Sequence, residues 1–266
     1  MDYLEIYQKE HIENKLSYSQ IREKYNIPRG TWDYYIRCKA KLSSDKRTYR
    51  VNDTFFDNIN SEEKAYLLGF LYADGYLAKD GRIGIRLKID DVEILQMFQK
   101  YICPDTPIVH TNNQNLKRKS QVNLRWKSKQ MYERLKQLGF NVDKTHTNSS
   151  IFKNISENYK LHFMRGFTDG DGCLQANNLE NGHKRKVSIC WSNGTKEIFL
   201  DIKNWLNINS MKLYDNNTYF VLRCDTRKDV YEIVNVLYNN CNLYLKKKKE
   251  IADRIIKFCS KNTELT

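Results

Sequence analysis

The chain has 266 residues, long enough for one large domain or two to three smaller ones, with 45 Lys plus Arg against 32 Asp plus Glu and a formal net charge of +13. That excess favours a polyanionic partner, nucleic acid foremost, over a merely solvated basic surface. No run of eighteen apolar residues exists, so no membrane span is expected. The opening "MDYLEIYQKEHIENK" is acidic and mixed where a secretory leader needs a basic then an apolar stretch, so an intracellular protein is expected. Richness in Lys, Asn, Ile and Tyr points to an A·T-rich coding genome, whether bacterial, phage or organellar. The seven cysteines (Cys38, Cys103, Cys173, Cys190, Cys224, Cys241 and Cys259) are odd in number and scattered, with no C-x-x-C pair. They read as reduced, buried thiols of a cytosolic protein, without a zinc site.

Residues 2–15 read as a helix. In "SYSQIREKYNIPRGTWDYYIR", Ile21 and Tyr25 share a helical face capped by Ser17 or Ser19; "NIPRG" breaks the helix, and Trp32, Tyr35 and Ile36 resume its period. This pattern resembles a helix-turn-helix whose second helix, roughly Arg29 to Arg37, enters the major groove with Arg29 and Arg37 as contacts. The alternative is a small helical cap without DNA contact. "CKAKLSSDKRTYRVND" then reads as a basic linker at about 40–52, so the first domain is assigned to residues 1–50.

Beyond it the chain repeats itself. Residues 51–150 contain "EEKAYLLGFLYADGYL", a strand "GRIGIRLKI", a helix "DVEILQMFQKYI", a strand "QVNLRWKS" and a helix "KQMYERLKQLGF". Residues 151–266 contain "YKLHFMRGFTDGDGCL", a strand "KVSICWS", a helix "TKEIFLDIKNWL", a strand "TYFVLRC" and a helix "KDVYEIVNVLYN". Asp171 follows Asp74 by 97 positions and Arg223 follows Arg125 by 98. Basic residues alternating along the strands predict sheets with one apolar and one charged face, suited to lying on a duplex. The four lysines of "YLKKKKEIADRIIKFCS" open a final amphipathic helix and add phosphate-neutralising charge.

The apolar helices of the two copies end alike, in "LLGFLYADG" and "MRGFTDGDG". Glycine at a helix end supplies the left-handed conformation without steric cost. Aspartate there faces the negative end of the helix dipole, a penalty of a few tenths to about 1 kcal/mol, and two such ends ask for a compensating cation.

These stretches resemble the two signature copies of a LAGLIDADG homing endonuclease in its single-chain, two-repeat form, over about residues 60–250 and behind an N-terminal helix-turn-helix. The resemblance implies an α+β fold: two pseudo-symmetric αββαββα repeats packed through their motif helices, with DNA-binding antiparallel sheets, plus a small all-α N-terminal domain. The absent side chains of Gly69 and Gly166 let those helices approach backbone to backbone, bringing Asp74 and Asp171 together at the bottom of the seam. Two carboxylates at two helix C-termini repel unless a divalent ion joins them, and oxygen ligands of this kind suit Mg²⁺, with Mn²⁺ as a substitute. The expected activity is therefore metal-dependent hydrolysis of double-stranded DNA at a long specific site, with Asp74, Asp171, Gly75 and Gly172 as the metal-binding set. The resemblance further implies cleavage across the minor groove leaving short 3′ overhangs.

Copy two has Asp169 where copy one has Tyr72, so Asp169 is expected to be a structural polar contact. "DGDG" shares the opening of a calcium loop, but the remaining ligand spacing and the closing glutamate are missing downstream. The resemblance also implies basic residues near the scissile phosphates. Lys129 and then Lys88 are the candidates in copy one, beside Lys127, with Arg227 and Lys228 at the matching place in copy two. Arg82, Arg86, Arg125, Lys127, Arg185 and Arg223 are the candidate base readers. A monomer is expected, since the repeat supplies its own pseudo-dimer.

Three other readings use the same scaffold: a maturase that binds intron RNA, a transcription regulator, and an intein-embedded nuclease. The first two have no reason to keep both acids. The end "KNTELT" lacks the His-Asn of an intein, so a free-standing or intron-encoded protein is expected.

Overall fold

The computed structural model describes residues 2–14, 16–36, 49–111, 120–140, 150–177 and 186–260. The chain forms two units, Met1–Arg50 and Val51–Thr266. In the first, α1 (Tyr3–Ile6) runs on into a wider π-helical stretch over Tyr7–Glu13, followed by α2 (Tyr18–Lys24) and α3 (Arg29–Tyr34). Ser17 caps α2 reciprocally: its hydroxyl accepts from the Gln20 N–H at 3.4 Å, and its own N–H donates to Gln20 Oε1 at 2.9 Å. Ile6, Tyr7, Ile21, Ile27, Trp32 and Ile36 make a core of their own. Glu10 is buried beside it, and hydrogen bonds from Lys24 Nζ (2.8 Å) and Tyr25 Oη (2.6 Å) hold its carboxyl down at about 2. Arg37 and most of the expected linker lie outside the described residues.

The second unit is built twice. Helix α4 (Glu62–Asp74) leads into β1 (Gly75–Leu77), β2 (Arg82–Lys88), α5 (Val92–Ile102), β3 (Val109–Thr111), β4 (Gln121–Lys127) and α6 (Lys129–Leu138). Then α7 (Glu157–Asp171) leads into β5 (Gly172–Asn177), β6 (Lys186–Asn193), α8 (Lys196–Leu206), β7 (Lys212–Asp215), β8 (Phe220–Cys224) and α9 (Arg227–Tyr238), and α10 (Lys246–Ser260) closes the chain. Each copy is αββαββα, with its strands in one antiparallel sheet ordered β1-β2-β4-β3 (sheet A) or β5-β6-β8-β7 (sheet B). The four outer strands β1, β3, β5 and β7 are short or weakly patterned, which is why the sequence marks only the inner two of each sheet.

Register sorts the side chains into two faces. In sheet A the pairs Ile83↔Trp126, Ile85↔Leu124 and Leu87↔Val122 turn to the core, and Arg82↔Lys127, Gly84↔Arg125, Arg86↔Asn123 and Lys88↔Gln121 occupy the open face. In sheet B the open face carries Cys173↔Cys190, Gln175↔Ser188, Asn177↔Lys186, Cys190↔Arg223 and Lys212↔Arg223, a set with fewer cations than that of sheet A.

Helices α4 and α7 form the centre of the unit. Every residue from Ala65 to Leu71 and from Phe163 to Asp169 is buried, so these helices are enclosed on all sides rather than amphipathic. Their crossing has no side chain in it. A Cβ on Gly69 would lie 2.0 Å from the Phe163 carbonyl oxygen, and one on Gly166 would lie 2.0 Å from that of Tyr66.

Candidate active site

Both motif helices end at their aspartates, and neither has a basic residue in its last turn. The crossing brings these ends together. The Cα of Gly170 packs so closely on α4 that a Cβ there would stand 2.4 Å from Ala73 Cβ and 3.3 Å from Asp74 Oδ2. On the other side, the Asp171 carboxylate acts on the Tyr72 hydroxyl, whose pKa burial, above all, pushes up to about 12. A cavity of about 150 Å³ opens here, lined by Tyr72, Tyr76, Asp171, Asn193 and Thr195 among others. Asp74 and Asp171 are both half-buried.

The two terminal glycines are not left-handed. Gly75 has φ −77° and ψ 167°, Gly172 has φ −74° and ψ 147°, both extended. Glycine is required for room: a Cβ at Gly75 would fall 2.3 Å from the Leu71 carbonyl oxygen, and one at Gly172 2.5 Å from that of Thr168. The sharp helix-to-strand exit aims each aspartate at the seam.

Antiparallel pairing puts most of the sequence-derived lysines at the wrong end. Gly75 faces Ile85, while Arg82 faces Lys127 beside the β1–β2 turn. Lys127 thus lies about 10 Å along the sheet from the level of Gly75, with Lys129 beyond it at the start of α6. The same reversal carries Lys228, at the start of α9, away from Asp171; Arg227 there stacks on the Phe258 ring at 4.9 Å. Lys88 lies at the opposite end of β2, toward α4's C-terminus, and is exposed.

Among the candidate readers, Arg86 and Arg125 stand exposed on the open face of sheet A, while Arg82 and Lys127 share Asp80 at 2.7 and 3.9 Å. Arg223 is held by Asp225 through contacts of 2.7 to 2.9 Å, which lower the Asp225 pKa and leave little free charge for a base. Arg29 is exposed on α3, 3.8 Å from Asp33. Arg185 and Arg37 lie outside the described residues.

A lysine of the basic run that opens the last helix also reaches this region. Lys248, in the first turn of α10, donates to the carbonyl of Gly172, the residue after Asp171. Its pKa is lowered, chiefly by burial, and it feels the charges of Asp169 and Asp74. Asp169 sets this position. Its carboxylate accepts from the Leu245 N–H (2.7 Å) just ahead of α10, from Tyr66 Oη (2.7 Å) and from Tyr238 Oη (2.6 Å). Arg165, also buried, ties α7 to the same segment through the Leu243 carbonyl (2.7 Å) and the Leu237 carbonyl (3.2 Å).

Burial raises the Asp169 pKa to about 6, against the three donors that lower it. A raised native pKa means that protonation favours the fold: the gain is complete below about pH 4 and lost as pH rises through about 6. Asp169→Asn cannot titrate, so the wild type is expected to lose about 2 kcal/mol relative to it between about pH 4 and about pH 7. Urea denaturation of both proteins at the two pH values measures this, and a pH-independent difference would contradict the assignment.

Residues 164–258 match the family model described as LAGLIDADG endonuclease. No curated protein shows significant similarity to the chain. Among solved structures, the chain is similar to the LAGLIDADG homing endonuclease I-GzeII in complex with a DNA target (12% identity, 76% of this chain, 92% of that one, TM-score 0.52). It is also similar to the I-LtrWI LAGLIDADG homing endonuclease bound to target DNA (14% identity, 76% and 91% covered, TM-score 0.52). A third is the homing endonuclease I-WcaI bound to its DNA recognition sequence (14% identity, 78% and 94% covered, TM-score 0.51). The second repeat thus matches the LAGLIDADG endonuclease family model, in a chain whose paired repeats have the fold of the LAGLIDADG homing endonucleases.

Proposed function

We propose that this chain is a sequence-specific double-strand DNA endonuclease that hydrolyses one phosphodiester per strand, across the minor groove, where α4 and α7 end. The observation that carries this reading is the close packing of two helices that each end in an aspartate, with Gly170, next to Asp171, set against Ala73 and Asp74. A pair of carboxylates at two negative helix ends is a donor set for a hard divalent cation, and no cluster of three or more His, Cys, Asp or Glu suited to a metal occurs among the described residues. Bound at Asp74 and Asp171, Mg²⁺ or Mn²⁺ would supply water activation and a counter-charge for the leaving oxygen. The Gly172 carbonyl already accepts from Lys248, which favours the two aspartates as the ligands, and Gly75 and Gly172 make room at the helix ends.

The protein's own groups supply the rest. Sheet A offers Arg86 and Arg125 to the duplex, and the first unit adds Arg29 on α3. Lys248 brings a positive charge within electrostatic reach of Asp74 and Asp169, a place from which it can offset charge that develops on the phosphate in the transition state. Lys248→Met is expected to slow single-turnover cleavage by about 10²-fold with little change in affinity, as loss of one preorganised electrostatic partner does. An unchanged rate would return Lys248 to a structural role.

The function is tested by exposing a random duplex library to purified full-length protein with Mg²⁺ and with EDTA, then sequencing the new ends. Recovery of one long site, cut only with metal, supports the reading. A site extending well past the cut on one side supports the DNA-contact role of the first unit, and a short symmetric site removes it. Binding without cutting overturns the nuclease reading in favour of a regulator or an RNA-binding maturase.

A further inference from the structure

The open face of sheet B carries a pair of thiols that the nuclease reading leaves unused. Cys173, on β5, lies two residues after Asp171 and is exposed; Cys190, on β6, is half-buried. They are direct cross-strand partners. Directly opposed residues of an antiparallel pair have Cα atoms about 4.5–5.5 Å apart and point to the same face. A disulfide needs about 4.4–6.8 Å, so the backbone already stands at bonding distance. Burial, above all, raises the Cys190 pKa, and the facing Cys173 adds to the rise.

The corresponding slot of sheet A is filled differently. There Tyr76 faces Gly84, and the ring lies so close over the glycine that a Cβ would meet it at 2.6 Å. Both repeats therefore close this cross-strand gap beside the motif helix, one with an aromatic ring and the other with two sulfurs. The other described cysteines are buried (Cys103, Cys224, Cys259) or half-buried (Cys241).

We propose that Cys173 and Cys190 are a reversible thiol–disulfide site on the open face of the second repeat, oxidised by a low-molecular-weight disulfide of the glutathione class. The accessible Cys173 thiolate attacks a sulfur of the oxidant and expels one thiol. Cys190 then attacks the Cys173 sulfur and expels the second. One S–S bond forms in the protein and one breaks in the oxidant, whose two sulfurs take up the two electrons and two protons. The product bridges the strand that leaves Asp171 to its neighbour, and a dithiol reverses it.

The test uses the full-length protein incubated with oxidised glutathione, alkylated with iodoacetamide and mapped by peptide mass, before and after dithiothreitol. The expected result is a single linked peptide pair joining Cys173 to Cys190, lost on reduction. In Cys190→Ser the reaction is expected to stop at a persistent glutathione adduct on Cys173. Full alkylation of both cysteines in the wild type overturns the proposal. So does an unresolved adduct on Cys173 in the wild type, or a link from either cysteine to a different one.

Discussion

Asp74→Asn and Asp171→Asn are each expected to lower the rate of double-strand cleavage by at least ~10²-fold while DNA affinity changes by no more than about threefold. Each aspartate is the last residue of its helix, so its charge is opposed by the helix dipole. The other's charge adds to that opposition across the seam. An amide keeps the shape and one acceptor oxygen but removes the charge that holds a divalent ion. The sheet faces proposed to bind the duplex are untouched by the change, and a smaller negative charge near the phosphates works in favour of affinity. Single-turnover cleavage of a supercoiled plasmid bearing the selected site separates loss of one cut, which leaves a nicked circle, from loss of both. Wild-type rates in either variant would remove that aspartate from the site.

Gly69→Ala and Gly166→Ala are expected to destabilise the second unit by more than about 4 kcal/mol, or to prevent its folding. A methyl group at either position would fall 2.0 Å from a main-chain carbonyl oxygen of the facing helix. Neither atom belongs to a side chain that could rotate away, so the helices must separate by about 1 Å or more to restore contact distance. That separation loosens packing along the buried length of both helices and moves the aspartates apart. Gly30→Ala is the control, since a Cβ there meets nothing within 4 Å. In α3 it is expected to be neutral or to add up to about 1 kcal/mol. Thermal or chemical denaturation of the three variants decides the matter, and an unaffected Gly166→Ala would mean that the crossing is looser than its geometry.

Much of this architecture is legible in the sequence because it rests on local regularity. The matched "LLGFLYADG" and "MRGFTDGDG" locate two enclosed helices, and alternation along "GRIGIRLKI" and "QVNLRWKS" places Arg86 and Arg125 on the open face. What the sequence misplaces depends on pairing at long range. Lys129 follows a strand closely in the chain, but hairpin reversal carries that strand's end away from Asp74. Lys248 is close to the site only through Asp169, Tyr66 and Tyr238, partners distant in the chain. A signal was nevertheless present: Lys248 falls on the helical stripe of Ala252, Ile255 and Cys259, which are buried, whereas Lys246 and Lys247 fall off it. A lysine on the apolar stripe of a helix is a better candidate for an interior role than one in a basic run.

The crossing of α4 and α7 also bears on how such a molecule can be rebuilt. Where the two repeats touch most closely, the contact is glycine against peptide group, with almost no side-chain pattern to match. Recognition between the halves at that point depends on backbone shape alone, which is common to any helix carrying the small residue at the same place. The joint is therefore generic where it is tightest and specific around that point, at Arg165 with Glu62, at Asp169 with Tyr66, at the Tyr72 ring against Phe163 and Phe167, and at Lys247 with Asp91. A half taken from another such chain would need those side-chain partners redesigned to fit, while the sheet faces proposed to read DNA would travel with each half unchanged.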